Sequence, residues 1–294
     1  MKSKVATASA DSGRKSTKID GFTILNGIFF LITCIIIIIP LVKVFVDSID
    51  AKAAYGMNLI PNEFSLSGYK LVLSTVALYK PFFISCVITV AGTLIGLILC
   101  TLGAYVLIQF DMPGRTLFSY MLLFTMIFQA GMVPMYLNMK SLGLTNTLWS
   151  IILPGSINIY NLILMRNFFE GIPQSLFESA EIDGCTPMGI FLKIVLPLSK
   201  AALASIGLMF AVYFWNEYTN VTIYINDSNL QNFQVKLRSL ILDDQSLAAA
   251  TSAGIFQTTV KNAAIIVAII PPLVIYPICQ KYFVTGINMG AVKE

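Results

Sequence analysis

Six stretches of the chain are mainly apolar over about the 20 residues a helix needs to cross a bilayer. They lie at 24–46, 82–108, 117–138, 146–165, 202–222 and 263–283, with polar segments between them. The pattern predicts an all-α integral membrane protein with six transmembrane helices. Residues 1–22 are rich in Ser, Thr and Lys and read as a polar tail, followed by one six-helix membrane domain over 23–294. A cleaved signal peptide fits badly, because the first apolar run starts late and is too long.

Charge sets the orientation. The tail holds Lys2, Lys4, Arg14, Lys15 and Lys18 against Asp11 and Asp20, so the positive-inside rule keeps it in the cytoplasm. Six spans then return the C-terminus to the cytoplasm. Loops near 109–116, 166–201 and 284–294 fall inside, and those near 47–81, 139–145 and 223–262 outside. Eleven Lys and Arg lie inside and eight outside, with the tail carrying the difference.

Composition agrees with a lipid-solvated chain: 56% of the 294 residues are hydrophobic, 12% are charged, and the net charge is +4. Charge this sparse makes no basic stripe for nucleic acid. With no histidine in the sequence, histidine-based catalysis and histidine metal sites are excluded. No G-x-x-x-x-G-K-[ST] run is present to cradle ATP. Cys34, Cys86, Cys100 and Cys279 sit in apolar runs and Cys185 in the loop before run five; all five read as packing residues.

Ionisable groups inside a bundle are costly and mark proton or ion relays where they are kept. Runs two, three and four have none. Glu217 stands at the outer end of run five, and Lys43 and Lys281 near the ends of runs one and six. The source of energy is therefore expected on another chain. Gly92, Gly96, Cys100 and Ala104 form a row of small side chains along run two, where another helix can approach closely. Packing within this chain is favoured over a subunit interface. Prolines 134, 154, 271, 272 and 277 interrupt runs three, four and six. Broken helices at membrane depth are tolerated where they face protein or a water-filled cavity, although kinking for packing is an alternative.

Gln129, Asn158, Tyr160, Asn161, Tyr213, Trp215 and Asn216 are the uncharged polar and aromatic candidates for a solute pathway. Amides bond hydroxyls while aromatic faces cover apolar C–H surface, which suits a hydroxyl-rich solute. For any one of them alone, bonding between helices is the plainer reading.

The loop 166–200 holds two predicted short helices. Pro173 suits the first position of one, Leu176, Phe177 and Ala180 give it an apolar stripe, and Gly184 ends it. Thr186 caps the second, with Pro187 at its first position, and that helix should end before Pro197. The first helix carries three acids and no base, which favours a protein partner over the membrane surface.

The run E-S-A-E-I-D-G at 178–184, with I-V-L-P at 194–197, resembles the EAA motif of ABC importer permeases. That motif is E-A-A, three residues, G, nine residues, I, one residue, L-P. The spacing fits throughout, and Ser179 stands where alanine is usual. GLTNTLWSIILPG from Gly143, FWNEY from Phe214 and FVTGINMGAVKE from Phe283 are similar to the sugar-importer branch that includes the maltose permease. Parts of the chain look like permeases for complex or acidic oligosaccharides.

The resemblance implies a MetI-like permease core, a passive transport subunit rather than an enzyme. In that family the loop docks in a cleft of a cytoplasmic ATPase. Closure of two ATPases rocks two permease subunits, and an extracytoplasmic solute-binding protein delivers the sugar. Carried onto this chain, Glu178, Ser179, Ala180, Asp183, Gly184, Ile194, Leu196 and Pro197 form the docking element. The outer loop 223–262 would meet the binding protein, and 286–294 the ATPase. ATP and Mg would sit on the partner ATPase, with no cofactor in this chain. A second permease, usually unlike the first, would complete the pathway in the bacterial cytoplasmic membrane. The competing class is an autonomous secondary transporter or facilitator; an ABC permease for a non-sugar solute is a further alternative.

Overall fold

The computed structural model describes residues 21–53, 56, 58–109, 112–242 and 257–290. The first 20 positions of the expected tail lie outside them, and Gly21 and Phe22 already belong to a helix. The chain divides into two compact units, Met1–Lys43 and Val44–Glu294. Helix α1, Gly21–Ser48, makes up the described part of the first and runs on into the second. Its apolar isoleucine run is helical despite β-branching, because a helix bonds its own backbone where no water is available.

The second unit is built around α3, Val76–Ile108, which is apolar all round. The short α2, Ser67–Ser74, precedes it. Its main neighbours are α6 (Trp149–Ser156), α7 (Ile159–Glu170) and α11 (Lys200–Trp215). The small-residue row on α3 faces α11. A Cβ on Gly92 would stand 2.5 Å from the Phe214 ring, and one on Gly96 2.9 Å from Phe210. A Cβ on Gly155 would stand 2.6 Å from the other edge of the Phe214 ring. Two phenylalanines one turn apart thus fill the groove, and the close approach is internal to the chain, as expected.

The helix α14, Gln257–Gly290, contains Pro271, Pro272 and Pro277. Proline lacks an N–H, so Pro272 cannot donate to the carbonyl of Ala268 four residues earlier. The Trp215 indole Nε1 donates to that carbonyl instead, at 3.0 Å. A carbonyl released by proline is thereby satisfied from the neighbouring helix.

All six apolar runs are helical, but not as six straight rods. Gly21–Ser48, Val76–Ile108 and Gln257–Gln280 are single helices long and apolar enough to span. Run three is broken into α4 (Arg115–Ile127) and α5 (Met132–Ser141), bent by 114°. Gly131, at φ +87°, adopts a conformation there that other residues rarely reach. Run four breaks between α6 and α7, where the Asn158 side chain accepts from Asn161 N–H at 3.0 Å and caps α7. Run five ends its first helix at Trp215 and resumes as α12, Thr219–Tyr224.

The loops gather in two sets. Asn146, at φ +63°, accepts from the N–H groups of Asn226 and Asp227. The Ser85 hydroxyl accepts from Phe233 N–H at the start of α13, Phe233–Leu242, and Thr259 donates to the carbonyl of Asp50. These contacts join the loops expected outside. At the other set, the Tyr105 hydroxyl at the end of α3 donates to Pro187 O at 2.8 Å, and Arg115 meets Glu170. That joins the loops expected inside.

Candidate functional site

Helix α8, Gln174–Ile182, follows Pro173, which is its N-cap rather than its first residue. Phe177 and Ala180 pack on the core, Ala180 being 5% exposed, while Leu176 faces outward. Glu178, Ser179 and Asp183 are exposed, and Ile182 is 87% exposed, the most open apolar side chain of the segment. The Ser179 hydroxyl donates to Ser175 O, so the residue standing where alanine is usual folds back on its own helix.

The helix ends on a Schellman motif. Gly184, at φ +75°, donates to Glu181 O at 3.0 Å, and Cys185 N–H donates to Ala180 O at 2.9 Å. Thr186 then accepts from Gly189 N–H at 3.2 Å and caps α9, Pro187–Ile190. Stop and start signals two residues apart fold the segment into a tight corner.

The second helix does not end before Pro197. It passes through a π-helical turn, Phe191–Val195, into α10, Leu196–Leu198. Leu196 N–H bonds Phe191 O, five residues back. Widening by one residue accommodates the proline, whose ring would clash with a regular preceding turn. Ile194 and Leu196 rest against the core, and Pro197 is exposed. The 187–198 segment meets α11 at 81°.

The pathway candidates separate by exposure. Gln129 is exposed at the α4–α5 break, and Tyr160 is half exposed on the first turn of α7. Tyr213 is 41% exposed, with its ring edge against Gly155, one turn before the α6–α7 break. Asn216 is exposed and donates to Val212 O. Asn161 is buried and Asn158 is occupied as a cap. Trp215 is 3% exposed and spent on the Ala268 carbonyl. Glu217, the one acid of these runs, is buried beyond Trp215, where its carboxylate accepts from Asn220 N–H and its carbonyl from the Asn232 side chain.

An ionic cluster missed by the sequence reading sits beside the loop. Arg115 Nη2 lies 3.2 Å and Arg166 Nη2 3.0 Å from the same Glu170 Oε1. Arg166 Nη1 also donates to the Ser119 hydroxyl at 3.3 Å. Among the described residues, no three His, Cys, Asp or Glu side chains gather as a metal site.

Residues 22–289 match the family described as binding-protein-dependent transport system inner membrane component. The chain belongs to this family: it is an ABC transporter permease, a multi-pass membrane subunit and not an enzyme. Such a subunit works with a partner permease, an ATPase and a solute-binding protein. The chain is similar to the polygalacturonan/rhamnogalacturonan transport system permease protein YtcP of Bacillus subtilis, 41% identical over 90% of this chain and 96% of that one. Protein LplC of the same organism is 38% identical over 92% and 95% of the two chains. Among solved structures, a bacterial ABC transporter involved in the import of the acidic polysaccharide alginate matches with a TM-score of 0.84. The two share 33% identity over 89% of this chain and 96% of that one.

Proposed function

We propose that this chain is one of two unlike permease subunits in an importer of oligosaccharides, and that uronic-acid-containing oligosaccharides are its substrates. The α8–α9 corner is its docking element for the ATPase, which places 166–200 and both termini in the cytoplasm. ATP and Mg are held by the ATPase pair. A ligand-driven switch works by binding one conformation better than the other, and here the differential binder is the ATP-closed pair. The outer loop 223–262 receives the solute-binding protein.

The observation that carries the coupling role is the α8 tip: Glu178, Ile182 and Asp183 all face outward on a helix that Phe177 and Ala180 hold to the core. An apolar side chain left open beside two acids suits a protein cleft better than headgroups or water. The substrate class is supported by the named cargo of the polygalacturonan/rhamnogalacturonan relative and of the alginate importer. Gln129, Tyr160, Tyr213 and Asn216, the exposed candidates, supply amides and aromatic faces for sugar hydroxyls and ring C–H surface.

Gly184→Pro tests the coupling role. Proline fixes φ near −65° where Gly184 sits at +75°, and it removes the N–H that bonds Glu181 O. In vesicles containing the full complex, the wild type takes up oligogalacturonate in preference to a neutral glucan of equal length. The variant reaches the membrane and loses that uptake. Normal uptake by Gly184→Pro would refute the docking role, and preference for the neutral glucan would refute the substrate class.

A further inference from the structure

Two charges of the Arg115–Glu170–Arg166 cluster stand where helix electrostatics disfavours them. Arg115 is the first residue of α4, at the positive end of the helix dipole, and Glu170 is the last of α7, at the negative end. Arg166 and Glu170 are four apart with the base N-terminal, the weaker order for such a pair. Neither Arg115 nor Glu170 stabilises its own helix by its place at the helix end. What they do satisfy is a contact between helices, since both guanidinium groups converge on one carboxylate oxygen.

That contact, together with the Arg166 hydrogen bond to Ser119, ties α4 to α7. Helix α4 buries none of its 13 residues, and α7 is its principal neighbour. Gly114, at φ +76°, precedes Arg115 and forms the turn into α4. At the far end, about 20 Å away at 1.5 Å per residue, α4 stops at the exposed 128–131 break that carries Gln129. On the other side, Glu170 lies four residues before α8, joined to it through Gly171, Ile172 and Pro173.

We propose that the Arg115–Glu170–Arg166 cluster is a coupling latch, through which displacement of the α8–α9 corner is transmitted to α4 and to the break at 128–131. Glu170 is a positioning residue. It touches neither solute nor ATPase, and it fixes the angle at which α4 follows α7. The inference rests on the docking role of the α8–α9 corner and is independent of which solute is carried.

The test uses the assembled complex in nanodiscs, with ATP hydrolysis and amide hydrogen exchange over 128–131 read together. In the wild type, trapping the ATP-bound state changes exchange across the break. Glu170→Gln is expected to keep the ATPase bound and hydrolysing, to lose that nucleotide-dependent change, and to cut uptake per ATP by at least about fivefold, the lower range of measured couplings. The exchange pair Arg115→Glu with Glu170→Arg keeps one acid facing two bases and should restore both readouts. The proposal is overturned if Glu170→Gln shows the wild-type exchange response, if it merely releases the ATPase, or if the exchange pair assembles without restoring either readout. None of these outcomes depends on oligogalacturonate being the substrate.

Discussion

Replacing Gly92 with alanine puts a methyl carbon 2.5 Å from the Phe214 ring, which is wedged between Gly92 and Gly155 and cannot retreat. Overpacking of this kind costs about 1–3 kcal/mol. The thermal midpoint of Gly92→Ala in detergent should fall accordingly, whereas Gly184 has open space around it and is constrained by its φ alone. Asp50 is a different sort of residue, 2% exposed and accepting from the backbone N–H groups of Lys52, Asn62 and Glu63 and from the Asn62 amide. Burial pushes its carboxyl up, but these donors outweigh burial and hold it below the ordinary value of 3.8. Its contribution is therefore fully present above that value and lost as pH falls through the lower folded one. Hydrogen-exchange protection of the Lys52, Asn62 and Glu63 N–H groups should hold down to pH 3.8 and be lost progressively below it in the wild type. Asp50→Asn should start lower and show no such acid limb.

At the level of elements, α11 presents two aromatic neighbours with opposite duties. Trp215→Phe removes the donor to the carbonyl that Pro272 leaves free, and an unsatisfied buried group costs about 1–3 kcal/mol. The variant should melt earlier while its KM for solute stays unchanged. Tyr213→Ala should raise KM with a smaller effect on the melt, because the ring is partly open. The reverse pattern would exchange their roles. The sequence could not separate these two: Tyr213 stands just before FWNEY and Trp215 within it, and an indole that donates to a carbonyl 53 residues away leaves no local mark. The α8–α9 corner was far more legible, since Gly184 and Thr186 act on backbone groups within four residues of themselves. Pro197 misled because the π turn that absorbs it arises from packing of Phe191 and Val195 into the core. The breaks in runs three and five were invisible to hydropathy, which counts apolar residues without regard to chain direction.

For the molecule as a whole, apolar run lengths were enough to indicate a helical membrane protein, and the EAA spacing enough to indicate its family. The six runs became three long helices and several bent or broken ones, with the polar breaks near Gln129, Tyr213 and Asn216. Arg115 and Glu170 are 55 positions apart, so the cluster that ties α4 to α7 needed the fold to be seen. Apolar runs two, three and four without an ionisable group, the α8–α9 corner proposed to dock, and a second set of loops joined through Asn146 and Thr259 fit a subunit that is driven rather than one that drives. The central claim is that this chain is moved by an ATPase and paired with a second permease. Its most direct test is purification of the tagged chain from its native membrane in mild detergent, with mass spectrometry of what accompanies it. An ATPase and a second, unlike permease should co-purify in stoichiometric amounts. A well-folded chain recovered alone, and able to carry sugar by itself in vesicles, would contradict the account.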